Sequence, residues 1–159
     1  MIYPKIKRLG DIILSLFGLI VLSPFFLITV ILIKIDSPGP AIFWQKRIAA
    51  NKTEFKMAKW RTMKINSPKN TPTHQLENPE KYITRCGKIF RRISWDESIQ
   101  IIHILSGKMS IIGPRPALWN QYDLIEERDK YGANDVRPGL TEYSYVNRAD
   151  VPMSECEGS

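Results

Sequence analysis

The sequence predicts an α+β fold in which one long apolar N-terminal helix precedes a small, mixed, mainly helical domain with short strands. Three observations support this prediction: an uncharged run at 12–33, two short strand-like segments around a polar turn, and amphipathic segments with helical spacing in the second half. The length of 159 residues suits one modest core. We therefore predict a membrane-inserted helix at 1–36, one domain at 37–147 and a tail at 148–159, for which disorder is an alternative.

The first element is the run of 22 residues without a charge at 12–33, IILSLFGLIVLSPFFLITVILI. As a helix this run would be about 33 Å long, which matches the hydrocarbon thickness of a bilayer. No small-residue cleavage site follows it, so we expect it to be retained. The positive-inside rule asks for both ends on the cytoplasmic side, because basic residues flank the run on both sides: Lys5, Lys7 and Arg8 before it, and Lys34 after it.

Ser23 and Pro24 stand in the middle of this run. Proline removes a backbone hydrogen bond and bends a helix, and a neighbouring serine hydroxyl can satisfy the freed carbonyl. A helix bent here could enter and leave the membrane on the same face. From the residues alone, this re-entrant form and a kinked transmembrane span are equally open.

The domain that follows is predicted to mix short strands and helices. Segments 41–47 and 54–60 alternate like the strands of a hairpin around the turn 50–52. The further predicted elements, in chain order, are a polar loop at 66–80, a basic helix at 82–93, a helix from Ser94 to Ser106-Gly107, a strand at 108–112, an acidic helix at 119–131 and a type II turn at Arg137-Pro138-Gly139.

Basic residues dominate the stretch 46–92, with 13 Lys or Arg against 3 Glu, a local net charge of +10. Such a band attracts an anionic surface or substrate. No nucleic-acid-binding module is visible, so no nucleic-acid partner is expected. The two cysteines and two histidines lack metal-ligand spacing.

Adjacent carboxylates at Asp96 and Glu97 allow two interpretations. Ser94-Trp95-Asp96-Glu97 fits a capping box, in which the serine and the glutamate bond to each other's backbone amides. Alternatively, a carboxylate held beside cations can attack phosphorus to form an acyl phosphate, and its neighbour can hold Mg²⁺. The local pattern favours capping, whereas the context of a membrane segment and a basic band favours chemistry.

Two arginines lie beside prolines, Arg115 in Gly113-Pro114-Arg115-Pro116 and Arg137 in Arg137-Pro138-Gly139. Proline restricts the backbone, so each guanidinium can be presented to phosphate oxygens at a small entropic cost. These turns predict a site that handles phosphates.

Together these motifs resemble the monotopic phosphoglycosyl transferases of the bacterial sugar transferase family. The similarity extends in order from residue 1 to about residue 141. It rests on the apolar segment with Ser23-Pro24, on Ser37-Pro38-Gly39-Pro40, Phe43-Trp44-Gln45-Lys46-Arg47, Lys59-Trp60-Arg61-Thr62-Met63, Asp96-Glu97, Ser110-Ile111-Ile112-Gly113-Pro114-Arg115-Pro116 and Arg137-Pro138-Gly139-Leu140-Thr141.

The resemblance implies an enzyme that moves a sugar 1-phosphate from a UDP-sugar to undecaprenyl phosphate and releases UMP. Such enzymes begin the assembly of surface glycans such as exopolysaccharide, capsule or lipopolysaccharide. It implies a re-entrant membrane helix, with the catalytic domain on the cytosolic face of the bacterial inner membrane in contact with its lipids. The sequence leaves a homodimer open and does not name the sugar.

The resemblance also implies roles for individual residues. Asp96 would be the nucleophile, and Glu97 would help to bind Mg²⁺. Arg115 and Arg137 would bind the phosphates or the uridine diphosphate, and Lys59 and Arg61 would be further substrate-binding cations.

The chain departs from the family pattern at 142–149, Glu-Tyr-Ser-Tyr-Val-Asn-Arg-Ala, and family members usually continue for longer. A second hypothesis is therefore a weakly active or inactive homologue that acts as a membrane scaffold in a glycan assembly complex. A third, a membrane-tethered binder of nucleic acid or anionic lipid, rests only on the basic band.

Overall fold

The computed structural model describes residues 3–67 and 78–141 and confirms the α+β fold class. The predicted loop at 66–80 lies partly, and the stretch 142–149 and the tail at 148–159 lie wholly, outside the described residues. The helices are α1 (Tyr3–Asp36), α2 (Arg85–Arg92), α3 (Ile101–Leu105) and α4 (Tyr122–Lys130), with 3₁₀ helices at Ala50–Lys52, Pro79–Lys81 and Trp95–Gln100. The strands are β1 (Ile42–Ile48), β2 (Glu54–Trp60), β3 (Ser110–Ile112) and β4 (Gly139–Thr141).

The chain divides into two compact units by its internal contacts. The first unit comprises 1–13, 46–55 and 103–159, and the second comprises 14–45 and 56–102. Helix α1 and the β1–β2 hairpin each contribute residues to both units. The predicted boundaries after residues 36 and 147 stay a prediction.

In the second unit, one face of α1 packs into the hydrophobic core. Phe26, Val30 and Ile33, at helical spacing, join a cluster that includes Trp60 of β2 and Phe90 of α2. The helix is apolar on its other side too, where large side chains are exposed: Phe17, Ile20, Leu27, Ile28, Ile31 and Ile35. Of the described residues, only those of α1 form a helix long and apolar enough to cross a membrane. An exposed apolar face of this size is typical of a helix that contacts a second apolar environment besides the core.

The α-helix continues without interruption through Pro24. Proline has no N–H for the carbonyl of Ile20, four residues earlier, and the Ser23 hydroxyl donates to that oxygen at 2.9 Å. This confirms the expected role of Ser23 in satisfying the freed carbonyl. The re-entrant path stays a prediction.

In the first unit, the first turns of α1 hold β3 and the end of α3. Lys7 donates to the carbonyl of Ile112, and Arg8 donates to two carbonyls at the end of α3. Asp11 is 5% exposed and accepts hydrogen bonds from the Ser110 hydroxyl and the Ile111 amide. Two of the basic residues before the apolar run are thus bonded to the folded chain.

The strands β3 and β4 pair in parallel, with Ser110 opposite Gly139 and Ile112 opposite Thr141. Their backbones approach so closely that a Cβ on Gly113 or Gly139 would collide with the other strand's backbone. The type II turn predicted at 137–139 is wrong: it needs a positive φ at Gly139, which instead begins β4 and is not among the positive-φ glycines. The close pairing, not a turn, explains this glycine.

The other predicted elements are confirmed, and α2, α4 and β3 have shorter bounds than predicted. The hairpin and its turn form as expected, as do a basic α2 and an acidic α4. The Thr84 hydroxyl caps α2 by accepting from the Gly87 amide at 3.1 Å.

We predict that Gly113→Ala lowers the free energy of unfolding by about 1–3 kcal/mol, the usual cost of an overpacked site, because the new methyl group meets the backbone of Arg137 and Gly139. Gly10→Ala is the matched control. Gly10 lies in α1 with nothing within 4 Å of the added Cβ, so alanine should raise stability by up to about 1 kcal/mol. Thermal unfolding in detergent measures both, and equal melting temperatures would contradict the close pairing of β3 and β4.

Candidate active site

Asp96 and Glu97 lie in the 3₁₀ helix Trp95–Gln100, which precedes α3. The predicted helix after Ser94 is therefore confirmed as a 3₁₀ helix that leads into α3, whereas the predicted capping box is wrong. Ser94 adopts a left-handed conformation, with φ 55°, and its side chain makes no capping hydrogen bond. Its carbonyl instead accepts from the Glu97 amide at 3.3 Å. Capping does not explain the two carboxylates.

The Glu97 side chain forms an ion pair with Lys59 of β2, at 2.6 Å between Oε1 and Nζ. The side chains are only 25% and 15% exposed, respectively, so this pair is better shielded from water than an ordinary surface pair. The structure thus brings together three of the residues predicted for the site: Asp96, Glu97 and Lys59.

Burial raises the pKa of Asp96 above its ordinary value, and the negative charge of Glu97 adds to this effect. The positive charges of Lys59 and Arg91 act in the opposite direction and favour the ionised form. Asp96 is therefore a carboxyl group that is partly removed from water and flanked by cations. Partial desolvation leaves such a carboxylate poorly hydrated, and the cations can attract an anionic substrate to it.

Sequence reasoning missed Arg91 as a site residue and counted it only among the basic residues of the predicted helix 82–93. Its Nε donates to the Thr62 hydroxyl at 2.8 Å, which directs the guanidinium from the last turn of α2. Burial lowers the pKa of Arg91, while the charge of Asp96 raises it. Its position five residues before Asp96, in the last turn of a basic helix, is the sequence signal that could have identified it.

Arg61 lies in a different setting from the one expected of a substrate ligand. It is 7% exposed, and its two terminal nitrogens donate to the carbonyls of Ser37 and Pro38. Burial lowers the pKa of its guanidinium. This geometry indicates that Arg61 holds the turn after α1, and its contact with substrate stays a prediction.

Arg115 and Arg137 belong to the first unit, and both are exposed. The β3–β4 pairing joins the two proline-containing segments that carry these arginines, because the Gly139 amide donates to the Pro114 carbonyl at 2.9 Å and the Ser110 amide donates to the Pro138 carbonyl at 2.9 Å. The Arg115 carbonyl also accepts a hydrogen bond from Arg128 of α4. Both arginines are thus carried on one hydrogen-bonded backbone frame, and their binding of phosphate stays a prediction.

A magnesium ion fits the carboxylates at this site. Within 3–67 and 78–141, no three His, Cys, Asp or Glu side chains cluster in a way that could hold a metal on their own. Mg²⁺ usually takes one or two protein carboxylates and completes its shell with water and substrate phosphates. Glu97 is the carboxylate predicted to help hold such an ion, and its binding of Mg²⁺ stays a prediction.

Comparisons with known proteins identify the family of this chain. The model of the bacterial sugar transferase family matches residues 2–157. The chain is 34% identical over 150 residues to a UDP-N-acetylgalactosamine-undecaprenyl-phosphate N-acetylgalactosaminephosphotransferase of Aeromonas hydrophila, a match that covers 91% of this chain and 34% of the relative. It is 36% identical over 150 residues to a UDP-glucose:undecaprenyl-phosphate glucose-1-phosphate transferase of Xanthomonas campestris pv. campestris, covering 92% of this chain and 31% of that relative.

A shorter relative, the exopolysaccharide production protein PSS of Rhizobium leguminosarum bv. phaseoli, is 42% identical over 110 residues, which covers 69% of this chain and 55% of the relative. The chain belongs to the bacterial sugar transferase family. It spans about a third of the length of the two transferases and about half of the shorter relative.

We predict that Asp96→Asn stabilises the fold near neutral pH in metal-free, chelator-containing buffer. The folded-state pKa of Asp96 is raised, so ionisation of this group opposes folding once the pH exceeds the ordinary carboxyl value of about 4. The gain in melting temperature should be largest at about pH 7 to 8 and vanish as the pH falls below about 4. Thermal unfolding of both proteins across this range measures it, and a wild type that is more stable than the variant at neutral pH would contradict the dominance of burial.

Proposed function

We propose that this chain transfers a sugar 1-phosphate from a UDP-sugar to undecaprenyl phosphate, releases UMP, and thereby begins the assembly of a surface glycan. The observation that carries the proposal is a half-buried carboxyl group, Asp96, that is under the influence of the positive charges of Lys59 and Arg91, in a member of the bacterial sugar transferase family. The names of two relatives supply the substrate class, since both name a UDP-sugar and undecaprenyl phosphate.

In the proposed first step, a carboxylate oxygen of Asp96 attacks the phosphorus bonded to the sugar. A bond forms between Asp96 and phosphorus, the bond from that phosphorus to the bridging oxygen breaks, and UMP leaves with this oxygen. In the second step, a phosphate oxygen of the lipid attacks the same phosphorus and frees the Asp96 carboxylate. No oxidant, reductant or water is consumed.

The neighbouring side chains have separate proposed roles in these steps. Lys59 holds Glu97 through its ion pair, and Arg91 supplies positive charge beside Asp96. When bound with the help of Glu97, Mg²⁺ would neutralise the diphosphate and ease the departure of UMP. Arg115 and Arg137 are proposed to bind substrate phosphates.

We propose that α1 associates with the inner membrane from its cytosolic face, without crossing it. Within the second unit, contacts with the domain extend from Gly18, against Ile101, to Asp36, which accepts from the Cys86 amide. Trp95, which bonds to Thr29 midway along α1, is the residue before Asp96. A straight span would draw this charged site into the hydrocarbon at a cost of several kcal/mol. A helix that stays on one side lets the exposed apolar face meet lipid and leaves the site in water.

The first test is the intact mass of detergent-solubilised protein after incubation with Mg²⁺ and a panel of UDP-sugars. We expect the wild type to gain the mass of one sugar phosphate with its own substrate and to release UMP. Asp96→Asn should gain none, because an amide is a poor nucleophile. The sugar that gives the adduct would name the substrate.

Melting temperature and UDP binding of Asp96→Asn serve as the controls that the variant is folded. A folded wild type that binds UDP but forms no adduct with any sugar would reject the enzyme. The scaffold hypothesis would then take its place, since it draws on the divergent residues 142–149.

A second test addresses the membrane path of α1. In a chain with Cys86 and Cys156 replaced by serine, single cysteines at Lys5 and Lys34 lie at opposite ends of the apolar run, and both positions are exposed. We expect a membrane-impermeant thiol reagent to label both in inverted membrane vesicles and neither in intact spheroplasts. Labelling of only one of the two sites in each preparation would show a transmembrane span.

A further inference from the structure

Trp95, the residue immediately before Asp96, connects the membrane helix to the carboxylates. Its indole Nε1 donates to the Thr29 hydroxyl at 2.8 Å, and that hydroxyl donates to the Phe25 carbonyl at 2.8 Å. The single proton of the Thr29 hydroxyl is used in the bond to Phe25, so its oxygen is left to accept from the indole. Thr29 is 3% exposed, so water does not readily replace either bond.

Aromatic contacts hold the same indole from the side. The rings of Phe25 and Phe26 meet Trp95 edge to face, with centroid distances of 6.4 and 6.1 Å. Phe26 also meets Trp60 of β2 at 5.4 Å. Two successive residues of α1 thus pack against the Trp95 ring.

A second tether lies on the other side of the carboxylates. The indole of Trp60 donates to the Ser98 hydroxyl at 3.1 Å, one residue after Glu97. Asp96 and Glu97 are therefore bracketed by Trp95, which is tied to α1, and Ser98, which is tied to β2. These tethers matter because Ser94 provides no side-chain cap to fix the start of this 3₁₀ helix.

We propose that Trp95 is a positioning residue that, through its hydrogen bond to Thr29, lets α1 set the place of the Asp96 carboxylate for attack on phosphorus. This inference rests on the proposed function. Trp95 acts through the backbone of the 3₁₀ helix and needs no contact with substrate. A carboxylate displaced by about 1 Å loses reactivity more than it loses substrate affinity.

The test uses two substitutions at Thr29 that differ in one group. Thr29→Val keeps the shape of the side chain and removes the acceptor, whereas Thr29→Ser keeps the hydroxyl. With the UDP-sugar that labels the wild type, we expect Thr29→Val to slow adduct formation at saturating substrate by tenfold or more, with the half-saturating concentration changed less than threefold. Thr29→Ser should remain within threefold of the wild type in both quantities.

Trp95→Phe, which removes the indole donor and keeps an aromatic ring, provides a second route if Thr29→Val does not fold. It should show the same loss in rate at saturation with a similar half-saturating concentration. Equal rates for the valine and serine variants, or a loss confined to the half-saturating concentration, would overturn the positioning role.

Hydrogen–deuterium exchange separates failure of this inference from failure of the proposed function. Thr29→Val should speed exchange of the amides at 95–100, relative to Thr29→Ser, and leave those of α4 unchanged. A wild type that forms no adduct rejects the proposed function alone. Unchanged exchange at 95–100 rejects the tether, whether or not the chain is active.

Discussion

The structure depends on one helix, α1, which packs into the protein core on one face and exposes apolar side chains on the other. Its inner face supplies Phe26, Val30 and Ile33 to a core that would otherwise expose Trp60 and Phe90. Its outer face is apolar as well, so water is a poor solvent for it. The same helix also places a buried carboxylate, Asp11, under the start of β3. Removing α1 would therefore take away part of the core and the two hydrogen bonds that Asp11 accepts from β3.

This arrangement gives the site its electrostatic character. A carboxylate on an open surface would be fully hydrated, whereas the packing around the 3₁₀ helix removes water from Asp96 and raises its pKa. Lys59 and Arg91 offset part of that cost, and each is aimed by a separate element, β2 and α2. The burial that opposes ionisation of Asp96 also leaves its carboxylate poorly hydrated and therefore available to a substrate.

Local sequence patterns predicted the elements of the fold well where the deciding interactions are local. The hairpin, α2, α4 and the bond from Ser23 to the Ile20 carbonyl all depend on residues within a few positions of each other. The capping box failed because such a cap is worth only about 1 kcal/mol, and a partly buried ion pair between Glu97 and a lysine 38 residues away competes with it. The parallel pairing of β3 with β4 joins segments far apart in sequence, so no window of residues reveals it.

The glycines beside Arg115 and Arg137 have a structural reason that their motifs do not reveal. Gly113 and Gly139 are required by the approach of two backbones, and that approach places the segments of Arg115 and Arg137 on one frame. A motif that looks like two independent loops in sequence is thus a single structural unit. The frame closes with the bond from the Gly113 amide to the Thr141 carbonyl, one residue before the predicted divergence at 142–149. The carboxylates and both proline-flanked arginines therefore lie before that stretch, in a part of the chain whose pairing is already complete at Thr141.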